Sequence, residues 1–238
     1  MSHETFNTIE VADYLHISTE DVSSLVRSND IPHENFGGRT VFRKQDVDAW
    51  ASQRILGLPR KELSDLHNTS TRKVDLFSDH TSIFQTMIKE SFVEPALESK
   101  TRAAVIRAMV DIADGTKLVN YPGDLLSSIR EREDMCSTAL AGGCALLHPR
   151  HHDLYMFEDS FVCFGRTINP VPFGAPDGKT TDLFFLICCE NDRLHLHVLA
   201  RLCMLFYRTS LEDQLRDAST AAEILQTLQQ AEAEILKT

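Results

Sequence analysis

Over the first fifty positions apolar residues recur at helical spacing; further on they gather into short continuous runs. Val11 and Leu15 share one face of a helix over residues 9–15, with Thr8 placed to cap it and Glu10 in its first turn. His16-Ile17 breaks that pattern. Ser18, followed three residues on by Asp21, opens a second helix to about Ser28, with Val22, Leu25 and Val26 inward. Ile31-Pro32 leads into Phe36-Gly-Gly-Arg-Thr-Val-Phe-Arg43, where a Gly pair between apolar residues predicts a β-hairpin. Residues 43–51 are amphipathic, with Val47, Trp50 and Ala51 available to close a small core. Two short helices on a tight turn, then a hairpin, predict a winged helix-turn-helix.

From about residue 84 the pattern alternates between helix and strand. Val105, Met109 and Ile112 line one face of a helix expected over residues 98–112. The apolar runs 144–147, 161–164 and 183–188, bounded by Gly, Pro and Asp, read as strands. Residues 192–206 read as a helix, and Ser210 and Thr220 as caps of two more, Thr220 with capping-box spacing to Glu223. Ile224, Leu225, Leu228 and Ile235 give the last helix a face that packs on its own domain. Strands mixed with helices predict an α/β sandwich on one sheet. Between the two patterns the chain is polar and rich in turn formers, so the expected organisation is a helix-turn-helix at 1–55, a connecting arm at 56–83 and an α/β domain at 84–238.

Composition narrows the class. Apolar residues make up 42% and charged residues 25%, the balance of a soluble globular protein. The longest apolar run, 183–189, is far short of a membrane span, so no membrane association is expected. The first residues show no basic or apolar leader pattern, which predicts a cytoplasmic protein with reduced thiols. Cysteines 136, 144, 163, 188, 189 and 203 form no CxxC pair, against a zinc site of that kind. The net charge is −11, and it is acidic in both patterned regions. That is a poor electrostatic match to nucleic acid, whose binding rests on phosphate neutralisation.

Chemistry concentrates in two segments. In Arg132-Glu-Asp-Met-Cys-Ser-Thr138 through Gly143-Cys-Ala-Leu-Leu-His148-Pro-Arg150, an apolar strand ends in a histidine, with an arginine and hydroxyls before it. In Arg193-Leu-His195-Leu-His197, His195 shares a helix face with Val198, Leu199 and Leu202, and His197 points away from it. A neutral imidazole is a nucleophile near its ordinary pKa of about 6.5. A phosphoryl group in transfer needs donors and positive charge at its equatorial oxygens. Two histidines, an arginine and a Ser/Thr pair supply that inventory; buried, hydrogen-bonded helix histidines would explain His195 or His197 as well. A metal held by His148, His195 and one of His151 or His152 has little support from spacing, and no metal is expected.

Two family resemblances bear on these readings. Thr8-Ile-Glu-Val-Ala-Asp-Tyr-Leu-His-Ile-Ser, Ile31-Pro, Gly37-Gly-Arg and Arg43-Lys-Gln-Asp-Val-Asp-Ala-Trp50 resemble the excisionase/MerR-like winged helix-turn-helix. The resemblance implies DNA binding, with residues 18–28 in the major groove and the wing on phosphate or minor groove. Its candidate contacts are Ser23, Ser24, Arg27, Arg39, Arg43 and Lys44. The acidic Thr19-Glu20-Asp21 opening departs from a DNA reader and leaves a protein-interaction module as the alternative.

Arg132-Glu-x-Met-x-Ser-Thr138, then Gly143-x-Ala145-x-x-His148, the segment 170–185 and His195-Leu-His197-Val-Leu resemble the type-2 IIA domain of the sugar phosphotransferase system. This is the fructose, mannitol and nitrogen-regulatory group. The resemblance implies a three-layer α/β/α sandwich around a mixed sheet. It places His148 as the phosphorylated histidine, attacking through Nε2, and His195 as a hydrogen-bonding partner of the phosphoryl group. Arg132, Ser137 and Thr138 then line the pocket. The family's Ile-Pro-His-Gly reads Leu146-Leu-His-Pro-Arg150 here; Pro149 lacks an N–H donor and Arg150 offers a guanidinium.

The implied donor is an HPr-like phosphocarrier, with the phosphoryl group carried in and no resident cofactor. A helix-turn-helix with no membrane segment or phosphate-loop cysteine beside it favours a regulatory phosphoprotein over sugar uptake. Two readings stay open beside it: a IIA-shaped sensor that is not phosphorylated, and a plain phosphocarrier serving a IIB domain. Binding to two-fold-related DNA half-sites would favour a homodimer.

Overall fold

A computed structural model describes residues 5–15, 17–57, 82–151 and 155–237. The chain divides into two compact units, the first ending at Asp79.

In the first unit, strand β1 (Thr5–Phe6) precedes helices α1 (Thr8–Leu15) and α2 (Thr19–Arg27). Strands β2 (Glu34–Phe36) and β3 (Arg39–Arg43) and helix α3 (Lys44–Gly57) follow. Asn7, not Thr8, caps α1: its Oδ1 accepts from the N–H of Ile9 and Glu10, while Glu10 reaches back to the Asn7 N–H. Thr8 is already helical, and Asn is the better cap. Ser18 and Asp21 form the expected capping box of α2. At the other end of α2, Asn29 takes φ 54°, and the N–H groups of Asn29 and Asp30 close on Val26 and Leu25, a Schellman stop.

The hairpin turns on Gly37 and Gly38, at φ 58° and 80°, so Phe36 faces Arg39 across a two-residue loop. Sequence patterning missed β1, a two-residue strand that pairs with the far side of β3. Val11, Leu15, Val22, Phe42, Val47, Ala51 and Ile55 are buried together as the small core; Trp50 is half-buried under the Arg54 guanidinium.

The second unit starts at the edge of the expected arm. Ser82 caps α4 (Ile83–Thr86), and Ile83 is fully buried. The arm otherwise lies outside the described residues. A 3-10 turn (Glu90–Phe92) enters β4 (Val93–Leu97), then α5 (Arg102–Gly115), α6 (Pro122–Met135), β5 (Cys144–Leu147), β6 (Phe161–Val171) and β7 (Thr181–Cys188). Helices α7 (Asp192–Arg208), α8 (Leu211–Asp217) and α9 (Ala221–Leu236) complete it. Helix α5 begins four residues later than its pattern implied, because the Thr101 side chain accepts from Ala104 N–H and fixes the start there. Ser210 makes no side-chain cap for α8; the Thr209 hydroxyl accepts from Leu211 N–H instead. Thr220 and Glu223 do form their capping box.

The sheet is mixed, in the order β4-β6-β7-β5. β4 runs parallel to β6, β6 antiparallel to β7, and β7 parallel to β5. Pro95 sits on β4, an edge strand, where a missing N–H is tolerated. β5 and most of β7 are buried on both faces, which requires helices on both sides. The α/β sandwich around a mixed sheet is therefore as expected. Ile224 and Leu228 of α9 are fully buried against this same domain.

The parallel pair β5 and β7, in register from Cys144↔Leu183 to Leu147↔Leu186, ends at one edge of the sheet. His148 follows β5 directly, and α7 starts four residues after β7. The carboxyl edge of this pair is where the chemistry of the two separated segments meets, as the general rule for such sheets has it.

Candidate phosphoryl site

His148 is 2% exposed and held at both ring nitrogens. The Arg132 guanidinium donates from Nε to His148 Nε2 at 3.0 Å, and Nδ1 lies 2.9 Å from the carbonyl oxygen of Leu146. Arginine can only donate and a carbonyl can only accept, so the proton is on Nδ1 and the lone pair on Nε2. That is the tautomer a nucleophile at Nε2 needs. His195, in the first turn of α7, has its ring centroid 4.6 Å from that of His148. Asn191 holds that helix start, its side chain accepting from Leu194 N–H. His195 and His197 are each 1% exposed.

Arg132 lies on the last turn of α6 and is 3% exposed. Its Nη1 donates to the Cys136 carbonyl at 2.9 Å, and Nη2 has no hydrogen-bond partner among the described residues. Burial lowers the pKa of its guanidinium, and the nearby Glu133 and Cys136 oppose that shift. It remains a cation, as arginine does in proteins.

Glu133, one position on, was not read from the sequence as a site residue. Its buried carboxylate accepts from the Thr138 N–H and, at 2.6 Å, from the Thr138 hydroxyl, and it pairs with Arg102 at 3.1 Å. Burial raises its pKa, against the opposing hydrogen bonds from Thr138 and the charge of Arg102. The Ser137 hydroxyl donates to the Phe173 carbonyl at 2.7 Å. Ser137 and Thr138 are thus anchored through their side chains, and Leu146 N–H bonds to the Thr138 carbonyl, tying the segment to β5. Glu133 does its work only because the chain folds back at residues 136–138, which no local pattern states. Arg150 bonds through its N–H to Ser128, and its guanidinium lies 3.6 Å from Glu131 at the surface. Among the described residues no three His, Cys, Asp or Glu stand together as metal ligands; His152 lies outside them.

In the first unit, Ser23 and Ser24 lie on α2 with Arg27 in its last turn. Ser24, Arg27, Arg39 and Arg43 are exposed. The Ser23 hydroxyl is turned onto the Thr19 carbonyl at 2.8 Å. Arg43 pairs with Glu34 across the wing at 2.7 Å, and Lys44 is the first residue of α3.

The family model of the phosphoenolpyruvate-dependent sugar phosphotransferase system, EIIA 2, matches residues 86–231, and that of a helix-turn-helix domain matches residues 5–55. The chain belongs to the type-2 IIA family of that phosphotransferase system, with a helix-turn-helix domain ahead of it. It is 31% identical over 100 residues to a nitrogen regulatory protein of Bradyrhizobium diazoefficiens, covering 41% of this chain and 63% of that one. It is 28% identical over 136 residues to the fructose-specific EIIABC component of Bacillus subtilis, covering 56% of this chain and 21% of that one. The chain therefore spans less than two thirds of either relative. The crystal structure of IIA-Ntr from Neisseria meningitidis superposes with a TM-score of 0.52 at 26% identity, covering 62% of this chain and 99% of that one. No helix among the described residues is long and apolar enough to cross a membrane.

Proposed function

We propose that this chain is a IIA-type regulatory phosphoprotein: His148 accepts a phosphoryl group from an HPr-like carrier, and the modification alters DNA or protein binding by the helix-turn-helix unit. The observation that carries the reading is the Arg132–His148–Leu146 relay, which fixes the Nε2 lone pair beside a buried, partly unpaired guanidinium.

In the step itself the Nε2 lone pair forms the new N–P bond as the carrier's N–P bond breaks, and the carrier's nitrogen leaves with the electron pair. Arg132 Nε–H must leave Nε2 as that bond forms; the natural acceptor is a phosphoryl oxygen, which the Nη2 group can also serve. The His195 ring lies beside that of His148, which supports reading it as a further donor to the phosphoryl group. The Nδ1–H bond to Leu146 holds the ring while its other nitrogen reacts. Glu133 acts at one remove, by keeping Thr138 and the strand pairing in place. The phosphoryl group adds about two negative charges to an acidic molecule, the kind of local change that biases binding.

The sensor reading draws on Pro149, which removes a donor beside the nucleophile. The sugar-chain reading requires onward transfer to a IIB domain. Intact mass after incubation with phosphoenolpyruvate, enzyme I and HPr separates them. The expected result is one acid-labile phosphoryl group on the wild type and none on His148→Ala. No gain on the wild type would leave the sensor reading. Onward transfer to a IIB domain, with DNA or protein binding unmoved by phosphorylation, would favour the carrier.

A further inference from the structure

Phe36 is 80% exposed, the most open large apolar side chain among the described residues. The register of the hairpin explains why the core does not use it. Phe36 faces Arg39, Asn35 faces Thr40 and Glu34 faces Val41. Side chains alternate between faces along a strand, so the fully buried Phe42 shares its face with Thr40 and Asn35. Phe36, Arg39, Val41 and Glu34 fall on the opposite face, with Arg43. Gly37 and Gly38 make the turn at positive φ, and a Cβ on either would meet nothing within 4 Å. The wing therefore ends in an aromatic and an arginine, directly opposite each other on one outer face, around an open turn. The unit is acidic, and two of its cations are engaged, Arg43 with Glu34 and Arg54 with Asp30. Phosphate neutralisation, the main source of sequence-independent affinity for DNA, is in short supply here. An apolar contact with the bases does not draw on it.

We propose that Phe36 is a wedge that enters the DNA minor groove at the wing tip and parts two stacked bases, while Arg39 lies in the groove beside it. The proposal rests on the DNA-binding reading of the helix-turn-helix unit and names what the wing does there. The minor groove is about 6 Å wide, and a turn of two glycines brings no side chain of its own against the groove walls. The groove floor carries acceptors and, where narrow, a strong negative potential that draws in an arginine. Proteins that bind there insert Phe, Leu, Ile or Met between base steps and kink the duplex by about 20–90°. Unstacking costs least at a flexible pyrimidine–purine step. Stacking of the ring on the opened base, and the extra surface that the bend brings in, offset that cost. The match of residues 5–55 to a helix-turn-helix family, with the arginine opposite the ring, favours DNA over a protein surface as what covers Phe36.

The test selects duplexes with the full chain from a pool with a randomised centre and uses the tightest-binding duplex as the probe. Affinity is read across a salt series, bending by energy transfer between dyes at the duplex ends, and unstacking by a fluorescent adenine analogue placed along the site. The wild type is expected to bend the duplex and to brighten the analogue at one step. Phe36→Ala should bind about tenfold more weakly and lose the bend. It should keep the wild-type salt slope, because an apolar contact releases no counterions. Arg39→Ala should instead lower that slope by about 1. Phe36→Leu, another apolar wedge, should restore the bend. Equal affinity and bend for Phe36→Ala and the wild type overturns the wedge and leaves the DNA-binding reading standing. A pool in which no duplex binds above the rest overturns the DNA-binding reading and the wedge with it.

Discussion

Arg132 buries a guanidinium with no carboxylate within ion-pair distance among the described residues. Such a charge costs stability unless something pairs it, and the proposed phosphoryl acceptance requires it unpaired at rest. Arg132→Met is therefore expected to slow phosphoryl acceptance by about a hundredfold while the urea midpoint is no lower than the wild type's. A lower midpoint with transfer intact would make Arg132 a structural residue. Glu133 yields a pH prediction. Its pKa is raised by burial, so the folded state holds that proton more tightly than the unfolded chain. Stability then declines as pH rises from the ordinary 4.5 through the raised value, and is flat above it. Glu133→Gln should lose this decline, read from urea midpoints across that range. An unchanged pH profile would mean another group sets it. Of the residues the sequence singles out, Arg132 and His195 come to His148, whereas Ser137 and Thr138 hold Phe173 and Glu133. Glu133 could not be picked out there, since its partners depend on the fold-back at 136–138, and Arg150 stands with Glu131 rather than in any bond to His148.

At the scale of elements, the turn that feeds β5 is set by Gly143, at φ 93°. A Cβ there would come within 2.5 Å of Arg216 Nη2 and 2.9 Å of Asp182 Oδ1. Arg216 cannot yield freely, because its Nε and Nη2 hold both Asp182 oxygens and Nη2 also holds the Gly142 carbonyl. Gly143→Ala should cost about 1–3 kcal/mol in urea unfolding; a neutral substitution would show that the turn relaxes. Helix α7 is tied to α9 by Arg201–Glu232, at 3.0 Å with both side chains fully buried. Glu232 also accepts from the N–H groups of Ile83 and Phe84, so one carboxylate joins three helices. Glu232→Ala should destabilise the unit by about 3–5 kcal/mol. A loss under 1 kcal/mol, about the value of a surface pair, would contradict that arrangement. The hairpin, the buried strands and most of the helices could be read from periodicity and caps, but α6 (Pro122–Met135) and the one-turn α4 were not expected: Leu125, Leu126, Ile129 and Met135 are the large apolar side chains of α6 and give it little period. β1 and β4 escaped because a two-residue strand and a Pro-bearing edge strand have almost no period to read.

For the whole molecule, the net charge of −11 limits what the helix-turn-helix can do with DNA. Its candidate cations are Arg27, Arg39, Arg43 and Lys44, and Arg43 already pairs with Glu34. Each phosphate neutralised contributes about −0.9 to the slope of log affinity against log salt, so one unit should show a slope no steeper than roughly −4. A steeper slope would point to more than one copy on the DNA or to a different surface. The decisive measurement is a nitrogen–phosphorus correlation spectrum of the chain phosphorylated by phospho-HPr, with histidine nitrogens labelled. The phosphoryl group is expected on Nε2 of His148, the nitrogen facing Arg132, with Nδ1 still protonated toward Leu146. A phosphoryl group on Nδ1 of His148, on His195, or on no histidine would contradict the site described here.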